Sequence, residues 1–172
     1  MRKLLVLVVL MGIVGGCGLA QSGGLQDPLL DRLTGHWVLH GTLAGKETTH
    51  DVAADWVLGH EYVRLHEVSR KKKHDGQPAY EAIVFVGWDA SSSQYACLWL
   101  DSTGGGGLSG QAIAHARRSG DELPFVFKES DGSISFTNTF VHHKESDSWT
   151  WIMDNVEKGK STPFARLTLE RQ

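Results

Sequence analysis

Residues 105–110 read Gly-Gly-Gly-Leu-Ser-Gly, a literal Gly-x-Gly-x-x-Gly. In dinucleotide-binding folds that spacing lies between a parallel strand and a helix whose N-terminus receives the pyrophosphate. Residues 111–118 are Ala-rich enough for a helix, but the rest of the chain supplies hairpins rather than crossovers. The run is therefore expected to be a loop between strands. Nine histidines raise the question of a metal. On a strand rising about 3.3 Å per residue, His36 and His40 are about 13 Å apart. Zinc–nitrogen bonds of about 2 Å cannot bridge that gap. His142 and His143 are adjacent, so they point to opposite faces. No metal and no cofactor is expected. Nucleophilic chemistry lacks a Gly-x-Ser-x-Gly elbow. Asp89 and Asp101 end successive antiparallel strands, which places them at opposite ends of a sheet rather than in an acid/base pair. No enzyme activity and no catalytic residue is expected.

Binding chemistry is more promising. Tyr62, Arg64 and His66 share one face of a strand. Trp88, Trp99 and Asp101 lie on the next two, and Asn138 and His142 share a face of a later one. If these faces line a lumen, it is aromatic with a few polar handles, and Arg64 would read an anionic head group. The alternative is a packed core in which Arg64 pairs with Asp101. The basic run Lys71–His74 reads as a solvated turn, with anionic headgroups as a secondary partner.

The elements that must position these residues are strands. Ten are predicted, at 34–43, 47–57, 61–70, 79–89, 94–101, 110–118, 121–128, 133–143, 147–157 and 161–170. Turn chemistry separates them, most clearly at Asp131-Gly132. Alternation is plain in Tyr80, Ala82, Val84, Val86 and Trp88, in Tyr95, Cys97, Trp99 and Asp101, and in Trp149, Trp151 and Met153. Successive hairpins predict an all-β, single antiparallel up-and-down barrel, which removes exposed edges. Some strands are apolar on both faces, which a fully solvated exterior does not explain. Asp27-Pro28 predicts a short capped helix closing one mouth. Gly35 lets the backbone turn inward there, and Trp37 plugs that end.

The chain has 172 residues. Residues 1–20 read as a signal peptide: Arg2 and Lys3, an apolar run from Leu4 to Val14 too short to span a bilayer, then small residues. Val14-Gly15-Gly16-Cys17 reads as a lipobox and makes Cys17 the expected lipidation site, with ordinary cleavage after Gly18-Leu19-Ala20 as the alternative. Residues 21–32 form a tether and short helix, and residues 33–172 the barrel domain. The expected location is exported and periplasmic, held to a membrane through Cys17. Removing the leader takes two of 17 basic residues and leaves 15 against 20 acidic ones, a net charge of −5. That balance excludes a basic nucleic-acid footprint. Cys97 then has no disulfide partner and reads as a buried small hydrophobe.

Five segments carry a family resemblance. They are Leu33-Thr34-Gly35-His36-Trp37, Val57-Leu58-Gly59-His60-Glu61-Tyr62, Val86-Gly87-Trp88-Asp89, Tyr95 with Leu98-Trp99-Leu100-Asp101-Ser102, and Phe164-Ala165-Arg166-Leu167. The chain resembles a bacterial family of lipocalin-like proteins of unknown function in the wider calycin group, with fatty-acid-binding proteins and nitrobindins as relatives. The resemblance implies a calycin barrel, and it implies that Arg166 packs across Trp37 through a cation–π contact. Similarity to nitrobindins implies haem held by a late histidine, for which His142 and His143 are the candidates. Val38 to His40 replace the nitrobindins' fuller glycine-rich opening, and the last strand has no histidine, so haem is an alternative only. The expected function is non-enzymatic binding or carriage of a small hydrophobic or amphipathic molecule in the cell envelope. A packed barrel with a structural or interaction role is the second expectation.

Overall fold

The structure is a computed structural model that describes residues 25–104 and 107–172. The expected leader, Cys17 and most of the tether lie outside the described residues, as do Gly105 and Gly106. Helix α1 (Pro28–Leu33) precedes ten strands: β1 (Gly35–Leu43), β2 (Lys46–Val57), β3 (Tyr62–Ser69), β4 (Glu81–Asp89), β5 (Gln94–Asp101), β6 (Ile113–Ala116), β7 (Glu122–Lys128), β8 (Ile134–His143), β9 (Ser148–Glu157) and β10 (Lys160–Arg171). Each strand pairs antiparallel with its neighbour in sequence, and β1 pairs with β10, so the barrel closes. All ten predicted strands are present. Residues 111–118, whose composition suits a helix, form a 3-10 turn at Gly110–Ala112 and then β6. The glycine run thus joins two antiparallel strands and has no βαβ context.

Up-and-down topology sorts every strand end to one of two rims. The first is the floor, where β1 begins, and the second is the mouth, where β1 ends. Asp27 caps α1 by accepting from Leu29 N and Leu30 N, and Pro28 occupies the first turn. This satisfies donors that a helix start otherwise leaves open. Leu29, Leu30 and Leu33 are buried against the floor. Trp37 is fully buried above them, and its Nε1 donates to Leu33 O at 2.9 Å. The floor is therefore sealed from both sides.

Arg166 does not pack across Trp37. The guanidinium over that ring belongs to Arg171, 4.0 Å from the centroid. Strand parity is the cause. Ala165, Leu167 and Leu169 point inward, so Arg171 shares their face and reaches the floor opposite Trp37. Arg166 points outward and donates to Asp154, Met153 O and Ala165 O. Arg171 also donates to Asp147, Thr34 O and Arg32 O. Gly35 has φ +125°, and a Cβ there would stand 2.4 Å from Arg171 Nη1. Only glycine fits that backbone and that neighbour.

The core is the lumen itself. An aromatic column rises through it: Phe125 meets Phe140 edge-on, Phe140 stacks on Trp151 at 4.7 Å, and Trp151 meets Trp99 edge-on at 6.0 Å. Burial of each Phe or Leu here stabilises the fold by about 1.5–3 kcal/mol. Cys97 is a free thiol buried in this core. Burial pushes it well above its ordinary value of 9.0, which fits an inert packing role.

Candidate functional site

The aromatic column stops short of the mouth. Above it lies a cavity of about 290 Å3 between the mouth ends of β1, β3, β5, β8, β9 and β10. Trp99, Phe136, Phe164, Leu43, Met153 and Leu167 form its apolar wall. Alternation along β10 would send Phe164 outward. A register shift between Pro163 and Ala165 lets it line the cavity instead, the usual effect of a bulge on one side chain.

Five polar residues face the same space: Glu67, Tyr80, Asp101, Thr103 and Asn138. Glu67 is 2% exposed and Asn138 1%. His50 Nδ1–H donates to Glu67 Oε1, and the Thr48 hydroxyl lies 2.7 Å from His50 Nε2. The His50 ring stacks on Tyr80 at 5.6 Å. The Tyr80 hydroxyl accepts from Trp99 Nε1 at 3.1 Å. Burial, and next the charge of Glu67, push the Tyr80 phenol far above its ordinary value. Glu67 Oε2 and Asn138 Oδ1 are buried without a hydrogen-bond partner. Such acceptors ordinarily find one, and leaving each unmade costs about 1–3 kcal/mol.

Of the eight expected binding residues, the structure brings Trp99, Asp101 and Asn138 into this cavity. The other five are elsewhere. Tyr62, Arg64 and His66 point to the outer face, because Val63, Leu65 and Glu67 hold the inward register of β3. Arg64 pairs there with Asp55 at 3.0 Å, and His66 with Glu81 at 2.7 Å. Arg64 therefore reads no head group in the lumen, and it does not pair with Asp101. Trp88 stands at the floor rim, 45% exposed, edge-on to Tyr95. His142 is buried at the floor, 4.9 Å from the Trp149 ring, and His143 bonds Thr150 outside. Neither histidine lines the cavity, so neither is placed to ligate a haem there.

Sequence reasoning missed Glu67, Tyr80 and His50. The signal was present in β2 and β3. His50-x-Val52-x-Ala54 and Val63-x-Leu65-x-Glu67 each carry an ionisable residue in the apolar register. A charge at such a position must be buried or must break the pattern.

Wider depressions lie on the outside of the barrel. One, of about 890 Å3, runs along β6 and β7 and is lined mostly by exposed side chains. Another, of about 530 Å3, is apolar and sits over β3 to β6 with Leu58, Phe85, Trp88 and Leu98. Among the described residues, no three His, Cys, Asp or Glu side chains cluster as a metal site would require. No described helix is long and apolar enough to cross a membrane. Fold and site together define a small antiparallel barrel, plugged at one end and carrying an aromatic, acceptor-rich cavity at the other. The sequence matches no family model and no curated protein.

Proposed function

We propose that this protein binds a small hydrophobic or amphipathic molecule in the mouth cavity without transforming it, as a calycin-like carrier of the cell envelope. The observation that carries this reading is the contrast between the two ends. Trp37, Trp149 and α1 fill the floor. The mouth leaves about 290 Å3 beside two buried acceptors that have no partner in the protein. Buried polar atoms also lack partners at Trp151 Nε1 and, on the floor, at His142 Nδ1; what sets the mouth apart is that Glu67 and Asn138 belong to the lining of a space a ligand could fill. The cavity is at the small end of ligand sites, which suits a compact molecule rather than a long acyl chain.

Export and a lipid anchor on Cys17 fit this geometry. The chain enters the barrel at the floor, through Asp27 and α1. An anchor upstream would turn the floor toward the membrane and the mouth away from it. Leu58, Tyr62 and Trp88 are exposed at that floor end, and Trp and Tyr favour the membrane interface. The outer groove they border supports the second reading, an interaction protein whose apolar flank meets a lipid surface or a partner.

A native mass spectrum tests the carrier reading. The chain is expressed with its leader in an exporting bacterial host and purified without denaturation. Extra mass that disappears on unfolding, and that a Trp99→Ala variant fails to retain, is the expected result. A bare polypeptide mass, unchanged on adding small apolar amphiphiles to the purified protein, would overturn it in favour of the outer surface.

A further inference from the structure

We infer that the molecule taken by the mouth cavity is a small organic ammonium, a primary amine on an aromatic or branched apolar body. This rests on the binding reading above and adds the chemistry of the head group. β3 and β8 are five strands apart in either direction around the closed barrel, so Glu67 and Asn138 stand on opposite walls. Both residues line one cavity, and each carries a buried oxygen, Glu67 Oε2 and Asn138 Oδ1, with no hydrogen-bond partner among the described residues. A group that satisfies both must donate at least two hydrogen bonds across the lumen. An ammonium has three N–H donors and no acceptor.

Charge points the same way. The lining holds two carboxylates, Glu67 and Asp101, and neither Lys nor Arg. A cation-forming group that contacts the lining is His50, bonded to Glu67. It lies behind Glu67, with its nitrogens turned to Glu67 Oε1 and the Thr48 hydroxyl. A carboxylate or phosphate head would meet two like charges and no basic side chain. The charges of Glu67 and Asp101 both contribute to holding the Tyr80 phenol protonated, as a negative potential in the cavity requires. Trp99, Phe136 and Phe164 supply ring faces and edges for the apolar body and for cation–π contact with the head.

Isothermal titration with three compounds of one shape tests this: phenethylamine, 2-phenylethanol and 3-phenylpropionate. The amine is expected to bind about tenfold tighter than the alcohol, because it brings an opposite charge and three donors to the Glu67 carboxylate where the alcohol brings one neutral donor. The phenylpropionate is expected to bind weakest. Glu67→Gln should weaken the amine by more than it weakens the alcohol and so remove most of the amine's advantage, since the amine loses an ion pair and the alcohol only a stronger acceptor. If Glu67→Gln does not fold by circular dichroism, Asp101→Asn at the rim serves instead and should lower amine affinity alone. Equal affinity for alcohol and amine would overturn the ammonium inference while leaving a working pocket. No binding by any of the three at millimolar concentration, and no change in tryptophan fluorescence, would overturn the pocket reading as well.

Discussion

Arg171 and Arg166 are five residues apart on one strand and have opposite duties. Arg171 shares the inward face, covers the Trp37 ring and ties down Thr34 O, Arg32 O and Asp147. Arg166 makes its bonds on the outer face to Asp154 and two carbonyls and covers no ring. Arg171→Ala should therefore cost about 1 kcal/mol more unfolding free energy than Arg166→Ala, through the lost cation–π contact with the buried Trp37 ring. Arg166→Ala should cost about 1 kcal/mol or less, as exposed pairs do. Urea midpoints of the two variants compare them directly, and equal losses would remove Arg171 from barrel closure. The Arg171 guanidinium also holds the Asp147 carboxyl below its ordinary value. That stabilisation is present above pH 3.8 and fades as acid protonates Asp147, so Arg171→Ala should flatten the acid limb of the stability curve.

Helix α1 has six residues, too few to persist alone. Its order comes from the burial of Leu29, Leu30 and Leu33 and from one capping side chain. Asp27 is buried, caps the first turn, accepts from the Tyr95 hydroxyl, and lies 3.3 Å from Arg118 Nη1. The cap and the plug are thus one unit, with β5 and the segment after β6 supporting the helix start. Asp27→Ala should cost about 2–3 kcal/mol, from the lost cap and the stranded Tyr95 hydroxyl. A double-mutant cycle tests the sharing. Tyr95→Phe should cost less in the Asp27→Ala background than alone, and additive losses would show the two roles to be separate.

The molecule as a whole should lose stability in alkali. Burial raises the Cys97 thiol above 9.0. Burial, then the hydrogen bond to Asp27, pushes Tyr95 up to about 12 from 10.0. In both cases the unfolded chain ionises first. The stability these groups confer is complete below their ordinary values and is lost as pH rises through the folded ones. Unfolding free energy is expected to be level up to about pH 9 and to fall beyond it. Cys97→Ala should delay the onset, and Tyr95→Phe should flatten the slope between pH 10 and 12. A wild-type curve flat to pH 12 would show that neither burial persists in solution. The same architecture separates stability from function. Variants at the floor should lower the melting midpoint, whereas Glu67, Asp101 and Asn138 at the mouth should alter binding.

Sequence by itself determined the strands, their hairpin order and the plugged floor, because alternation and turn residues act within a few positions. The ten strands, the Asp27 cap and the Gly35–Trp37 closure all come from such local patterns. Sequence also placed Trp99, Asp101 and Asn138 inward. Tyr62, Arg64 and His66 lie outside instead, because the apolar partners Val63 and Leu65 hold the inward register of β3. Which rim each residue joins depends on the folded barrel. Trp88 and Trp99 share an inward parity, yet one lies at the floor and the other at the mouth. Only closure of the sheet set β3 against β8 and so brought Glu67 and Asn138 to one cavity. The physical reason is range. Register propagates along one strand through its pleat, but the meeting of opposite walls depends on strand number and stagger summed around the whole barrel.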